Sequence, residues 1–426
     1  MSIAIYGEVA LDWLIARNEE IRYRMGGAGL YAALCAAKLR KDVELLTIFG
    51  PEINEYSISV WSDLGVSFNY AIIDKEYNIS KYLVTGFENY QKKVSRPVTS
   101  IRSNYMYTPV LPKECEAVLI FPINHSIPKN ICIEAKNQKK LVLVDPKPNS
   151  DSIADTREIL EYVDVLLVNE EELTLLSLEN DLKKGIKKLL GKGPKYIIVK
   201  RGVKGCIIAE KGRDLVIVPS YKSNAICTLG SGDVFGGALT AIFLETQDIL
   251  YSVRFASCMV ATFIESIETE RMPNRRTIEN YLDKREIISC NSSNNVTIYL
   301  AGPFFSKAEL NWVNYIHECL EGCGVNVLSP YKENGIVDIN TSMNDRNYIF
   351  NSDLELLHRS DIVVALLDHN DPGTCFEIGY AYSEKIPIIG LKTSKDMFNN
   401  MILIGCNRIC NSVEELVSEV YKYATK

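Results

Sequence analysis

Apolar residues along this chain fall in short continuous runs, each followed by a segment of helix length. Residues 2–7, 117–121, 141–145, 164–168 and 196–200 read as buried strands. That strand-then-helix rhythm predicts a parallel sheet, whose strands are covered on both faces and need no polar alternation. Residues 43–50 and 66–73 alternate apolar and polar positions like half-buried strands. From Ile288 to Asn295 the chain is short-chained, polar and without period, as expected of a linker. The strand-first pattern then restarts at 296–301, runs through a helix to Glu321 and continues with strands at 324–328, 361–367 and 386–391. Two domains follow, 1–290 and a smaller one at 296–426, joined by a linker at about 288–295.

Length and composition agree with that division. A chain of 426 residues is long for one core, and 47% apolar content suffices for two. The net charge of −7 is dispersed, with no basic stripe to meet a nucleic acid, so small molecules are the expected partners. No segment reaches the roughly 20 apolar residues of a membrane span, and no basic flank precedes a long apolar run, so a cytoplasmic protein away from membranes is expected. The 12 cysteines lack a Cys-x-x-Cys pair, and the Cys319/Cys323 and Cys406/Cys410 spacings have no histidine pattern beside them. Reduced packing residues are the expectation.

The stretch Thr228 to Thr240 places three glycines before and within an apolar helical run, which describes a turn entering a helix. Gly230 and Gly232 permit positive φ, so that backbone N–H groups and the helix dipole converge on an anion. Asp233 at the helix entrance is either an N-cap or a base that takes a proton from an attacking hydroxyl. Near the start, Asp12 follows the first strand, and Gly26 and Gly27 open an alanine-rich helix.

These stretches resemble the two signatures of the ribokinase-like (PfkB) sugar and nucleoside kinases, the second usually written Asp-Thr-x-Gly-Ala-Gly-Asp. The resemblance implies that Gly230, Ser231 and Gly232 form the anion hole and that Asp233 is the base. It likewise places Asp12, Gly26 and Gly27 at the sugar pocket, with Tyr31 either stacking on a base or closing the pocket. Asn169 and Glu172 match an Asn-x-x-Glu motif that positions Mg²⁺ through water, the bland alternative being an acidic helix start. Lys200 and Gly202 match a nucleotide-contacting turn, Phe255 to Pro273 would border adenine, and 79–108 would form a small lid sheet. ATP and Mg²⁺ are the implied cofactors. Three departures stand out. Cys227 replaces the leading Asp, which often helps hold a monovalent cation, and Ala10 and Tyr31 stand where many relatives carry asparagines.

In the second domain, Asp371-Pro-Gly-Thr-Cys-Phe-Glu377 follows an apolar strand. Thr374 and Glu377 have capping-box spacing. Alternatively, Glu377 lies in the first helical turn, where N–H groups and the dipole keep it ionised as a nucleophile. With Tyr299-Leu-Ala-Gly-Pro-Phe304 and Asn351-Ser-Asp353-Leu354, this domain is similar to the nucleoside 2-deoxyribosyltransferases. The resemblance makes Glu377 the nucleophile, Tyr299 its orienting partner, Asp353 the proton donor and acceptor at the base, and Asp371 the 5′-hydroxyl ligand. This is the plan of a retaining glycosidase. A carboxylate near the 5′ position favours nucleosides over nucleotides, while the turn Gly302 to Ser306 before a helix argues for phosphate.

The expected fold is therefore α/β: a ribokinase-like three-layer domain with a small β lid, then a smaller flavodoxin-like parallel-sheet domain. The expected activity is that of a bifunctional nucleoside-salvage enzyme, a homo-oligomer acting on a nucleoside or sugar and ATP. The alternative is a nucleotide-sensing kinase half beside a catalytic C-terminal half, the latter a nucleoside 5′-monophosphate hydrolase.

Overall fold

The computed structural model describes residues 2–15, 21–39, 42–77, 79–85, 94–97, 109–123, 126–223, 225, 227–288, 296–321, 325–335, 337, 341–368, 370–394 and 399–424. The expected linker at 289–295 lies outside them, as does most of the stretch from 86 to 108. Contacts divide the chain into two compact units, one formed mainly by residues up to Arg285 and the other mainly by Glu286–Lys426.

The first unit is built on a nine-stranded sheet. Ser2–Tyr6 lies between Val43–Leu46 and Cys115–Ile120, and the sheet continues in parallel through Leu141–Val144, Val165–Asn169 and Tyr196–Lys200. These strands are mainly apolar because helices cover both faces, with Glu44 and Glu116 the charged residues inside them and Lys200 at a strand end. The sheet is not wholly parallel, since Cys206–Glu210 and Val216–Val218 pair antiparallel at one edge. The alternating stretch 66–73 forms two separate two-residue strands, Val66–Ser67 and Ile72–Ile73, in different sheets.

A second, four-stranded sheet joins Ile21–Gly26, Ala10–Ile15, Ser80–Thr85 and Val94–Pro97. It is the small lid, and half of it comes from residues before the 79–108 stretch. Asp12 consequently sits inside a lid strand, opposite Arg24, and not at the end of the first sheet strand. Two buried helices, Ala28–Leu39 and Ser231–Thr246, pack backbone to backbone, since a Cβ on Gly237 would meet the carbonyl oxygen of Ala32. Gly29 does the same against Gly7, whose oxygen would lie 2.5 Å from an added Cβ.

The second unit carries a five-stranded, all-parallel sheet in the order Asn326–Leu328, Thr297–Ala301, Ile362–Leu366, Ile388–Leu391, Arg408–Cys410. In chain order this is 2-1-3-4-5, the flavodoxin-like arrangement, which has its switch point between the first and third strands. The last strand was not foreseen in the sequence pattern. Every described cysteine is free, and Cys323 of the Cys319 pair lies outside the described residues. Among the described residues no helix is long and apolar enough to cross a membrane.

The helix contact at Gly237 gives a direct test. Gly237→Ala should destabilise the first unit by about 1–3 kcal/mol, the usual cost of overpacking, read from its chemical denaturation midpoint. An unchanged midpoint would mean that the two helices separate freely.

Candidate functional site

At the carboxyl edge of the first sheet, the helix Ser231–Thr246 begins at Gly230, whose φ of +82° explains the glycine there. Gly232 lies inside the first helical turn without positive φ, contrary to the expectation for it. A Cβ at Gly232 would instead approach Lys200 Nζ to 3.4 Å. Asp233 is not the N-cap, because that position is Gly230 and no side chain caps the helix. Its carboxylate is held by Lys147 at 2.9 Å. Burial would lower the Lys147 ammonium, but Asp233 and Asp145 outweigh it and raise it.

Lys200 reaches back to Asp145 at 2.6 Å. Burial raises the Asp145 carboxyl against the pull of Lys200 and Lys147. Gly202, at φ +57°, opens the short turn Gly202–Lys204 beyond this strand. Asn169 and Glu172 form a reciprocal capping box: the Asn169 side chain accepts from the Glu172 N–H at 2.7 Å, and Glu172 Oε2 accepts from the Asn169 N–H at 2.8 Å. Burial pushes Glu172 up to about 7, with Lys200 opposing and Asp145 adding to the rise. Among the described residues no group of three or more His, Cys, Asp or Glu side chains is placed to hold a metal ion.

The side next to the four-stranded sheet is crowded. Tyr31 is buried, its hydroxyl donates to Asp12 at 2.5 Å, and its ring meets Phe263 edge-on at 6.0 Å. Buried in this way, its ring presents no open face for stacking. Gly26 leaves room for the Asp12–Tyr31 pair, while Gly27, at φ +93°, turns the chain into the helix. Asp12 is pushed up to about 6 by burial, against the Tyr31 hydroxyl and Arg24. Glu8 accepts from Tyr82 at 2.7 Å and from Ser80 at 2.9 Å, and its carboxyl is raised by burial.

In the second unit Tyr299 lies on the first sheet strand, and its hydroxyl donates to Glu377 at 2.5 Å. The two therefore meet at the switch point. Asp353 accepts from Asn334 at 2.7 Å, and burial raises its carboxyl. The capping box that the Thr374 and Glu377 spacing offered as an alternative does not form: Asp371 is the N-cap, accepting from the Thr374 N–H and hydroxyl, with Pro372 behind it. Glu377 is accordingly the sixth helical residue, beyond the first turn. Helix N–H groups do not keep it ionised. Burial pushes it up to about 8 despite the Tyr299 hydroxyl, with Asp353 and Asp371 adding to the rise.

Glu8, Asp145, Lys147, Arg24 and Asn334 escaped the sequence reading. The pfkB family carbohydrate kinase model matches residues 2–274, and the nucleoside 2-deoxyribosyltransferase model matches residues 298–419. The chain belongs to the pfkB family of carbohydrate kinases. It carries a nucleoside 2-deoxyribosyltransferase domain behind the pfkB domain, and both are enzyme families. The cytidine kinase of Thermococcus kodakarensis is 24% identical over 263 residues, which is 60% of this chain and 92% of that protein. A candidate 2′-deoxynucleoside 5′-phosphate N-hydrolase of Thermofilum pendens is 30% identical over 95 residues, 22% of this chain and 66% of that protein. The fold of the Arabidopsis thaliana ribokinase, solved with ribose and ATP, superposes with a TM-score of 0.56 at 19% identity, covering 66% of this chain and 98% of that one.

The raised Glu377 carboxyl makes a stability statement about the transferase-like domain. Between pH 4.5 and about 8 the folded form holds a proton that the unfolded form has lost. Stability therefore falls as pH rises through that window, and the loss is complete above it. Glu377→Gln should remove the decline, raising the melting temperature relative to wild type at high pH and not near pH 4.5. Equal pH profiles for the two proteins would contradict an enclosed carboxyl.

Proposed function

We propose that the chain is a bifunctional nucleoside-salvage enzyme. Residues 1–290 transfer a phosphoryl group from ATP to a nucleoside or sugar hydroxyl. Residues 296–426 cleave or exchange the N-glycosidic bond of a nucleoside through Glu377. The observation that carries this reading is the pairing of each acid with one suitable partner at a sheet's carboxyl edge: Asp233 with Lys147, and Glu377 with the Tyr299 hydroxyl.

In the kinase half, the Gly230 turn and the first N–H groups of its helix offer an anion site, with Lys200 alongside. A phosphate entering there competes with Asp233 for the Lys147 ammonium. Once Lys147 turns to phosphate, the Asp233 carboxylate is free to take the proton from the acceptor hydroxyl. Asp12 and Glu8 stand ready to accept further substrate hydroxyls, and Tyr31 must yield for Asp12 to do so. The oxygens that Asn169 and Glu172 commit to the helix cap leave Glu172 Oε1 to meet Mg²⁺ through water. The metal, when bound, would neutralise phosphate charge.

In the second half, ionised Glu377 attacks the anomeric carbon, the C–N bond breaks, and its electron pair leaves with the base. Asp353 donates a proton to that base, a task that its raised carboxyl suits. Tyr299 holds Glu377 in line. Water or a second base, deprotonated by Asp353, then takes the sugar from the glutamyl ester. Asp371 would receive the 5′-hydroxyl with the oxygen its cap leaves free, Oδ1.

A second reading rests on Tyr31, whose hydroxyl already occupies Asp12. On it the kinase half binds nucleotide without turnover, and the C-terminal half hydrolyses a nucleoside 5′-monophosphate, the kind of substrate named for the Thermofilum relative. ATP consumption with a nucleoside panel, together with mass spectrometry of the products, separates the two.

Asp233→Asn should lower phosphoryl transfer by about 10² to 10⁴ with ATP affinity nearly unchanged; near wild-type turnover would remove Asp233 from the chemistry. Base release should require ionised Glu377. The kcat/KM for nucleosides should therefore climb with pH and level off above about 8, and Glu377→Gln should be inactive while the kinase half works. A profile flat from pH 5 to 9, roughly the span bracketing that carboxyl, would rule out Glu377 as the nucleophile. Residues 1–290 and 296–426 made separately should each unfold in one cooperative step; aggregation of either would reject those boundaries.

A further inference from the structure

Arg24, on the lid strand Ile21–Gly26, has a side chain only 9% exposed. It donates to the Ile267 carbonyl at 2.6 Å and to the Leu229 carbonyl at 3.3 Å, and lies 3.8 Å from the Cys227 sulfur. Its Nε is 3.6 Å from Asp12, and its centre stands 5.3 Å over the Tyr31 ring. Two carbonyls from separate loops, a sulfur and a carboxylate converge here on one positive charge. Leu229 and Cys227 belong to the segment that leads directly into the Gly230 turn. Oxygens so arranged attract a cation, and this chain supplies one as a side chain.

A buried cation on carbonyls is by itself only structural: Lys140 donates to the carbonyls of Lys113 and Cys115 far along the chain. Arg24 differs in what it connects. It holds the segment before the Gly230 turn, the loop at Ile267 and the lid carboxylate of Asp12. The neighbouring Thr269 hydroxyl adds a bond to the Met25 carbonyl, so lid and loop are fastened twice.

We propose that Arg24 is a resident cation of the anion turn, positioning Gly230–Gly232 and adding positive charge beneath it, so that phosphoryl transfer needs no bound monovalent cation. Cys227 fits this role because a carboxylate there would compete with Asp12 for the same guanidinium. The inference rests on the kinase reading above.

The test compares the full chain in potassium chloride and in tetramethylammonium chloride at equal ionic strength. Wild-type kcat should be nearly the same in both; activation by potassium of about 5-fold or more, the lower end of ordinary coupling between sites, overturns the proposal. Arg24→Ala should lose about 10²-fold in kcat, as when one anion-hole donor is removed. It should keep its KM for ATP and recover part of its rate on adding guanidinium or potassium. A kcat that holds without rescue overturns it. Arg24→Lys, which keeps the charge, should lie between the two and serves if the alanine variant does not fold; a lysine variant as impaired as a neutral Arg24→Met variant overturns the proposal. If no acceptor is phosphorylated in either salt, the kinase reading is what fails, and melting curves decide on Arg24. Potassium should then leave the wild-type transition unmoved and raise that of the alanine variant by binding its folded form; a potassium-dependent rise in the wild type overturns the role.

Discussion

A strand covered on both faces carries few charges along its length, so in each domain most ionisable groups of the candidate site gather near the ends of the parallel strands. There they enter a region of low dielectric, in which an unpartnered charge is costly. The two domains resolve that cost differently. In the kinase domain the carboxylates alternate with lysines, Asp145 with Lys200 and Asp233 with Lys147. In the transferase-like domain the groups acting on Glu377 are a phenol and two further carboxylates. A set of lysines suits a polyphosphate, whereas an acid drawn toward neutrality suits a sugar that develops charge only as its bond breaks.

Local chemistry was readable in the residues, and remote chemistry was not. The turn at Gly230, the βα rhythm and the stretch from Asp371 to Glu377 are contiguous patterns with mechanical reasons behind them. Lys147 sits in an Asp-Pro-Lys-Pro segment that reads as a turn, and nothing nearby announces that it will meet Asp233. Asn334 stands before Gly335, again a turn signal, yet it holds Asp353. Arg24 lies 243 residues from one of its partners, Ile267. The strand Arg408–Cys410 is too short for a periodicity to register.

The misplacement of Glu377 by a turn has a traceable cause. Thr374 and Glu377 have the spacing of a capping box, but Asp371-Pro372 is the stronger start signal, since Pro at the first helical position needs no hydrogen bond. With the helix starting there, Glu377 leaves the reach of the free N–H groups, and desolvation becomes the dominant influence on it. Asn169 and Glu172 teach the converse. Their motif-like spacing does form a capping box, and the same two side chains remain beside the lysines.

Tyr31 touches both ends of the kinase site: a Cβ on Gly26 would strike its hydroxyl, and a Cβ on Gly230 would lie 2.8 Å from its ring. Position 31 thus constrains two glycines, one close to it in sequence and one remote. It is not their only constraint: a Cβ on Gly26 would also strike Asp12 Oδ2, and Gly230 sits at φ +82°, where a side chain is strained whatever the space. A smaller residue at 31 therefore frees neither glycine by itself. The pocket is written as epistasis, in which tyrosine at 31 is open only to a lineage that already holds both glycines, and a later change at 26 needs compensation at 12 as well as at 31.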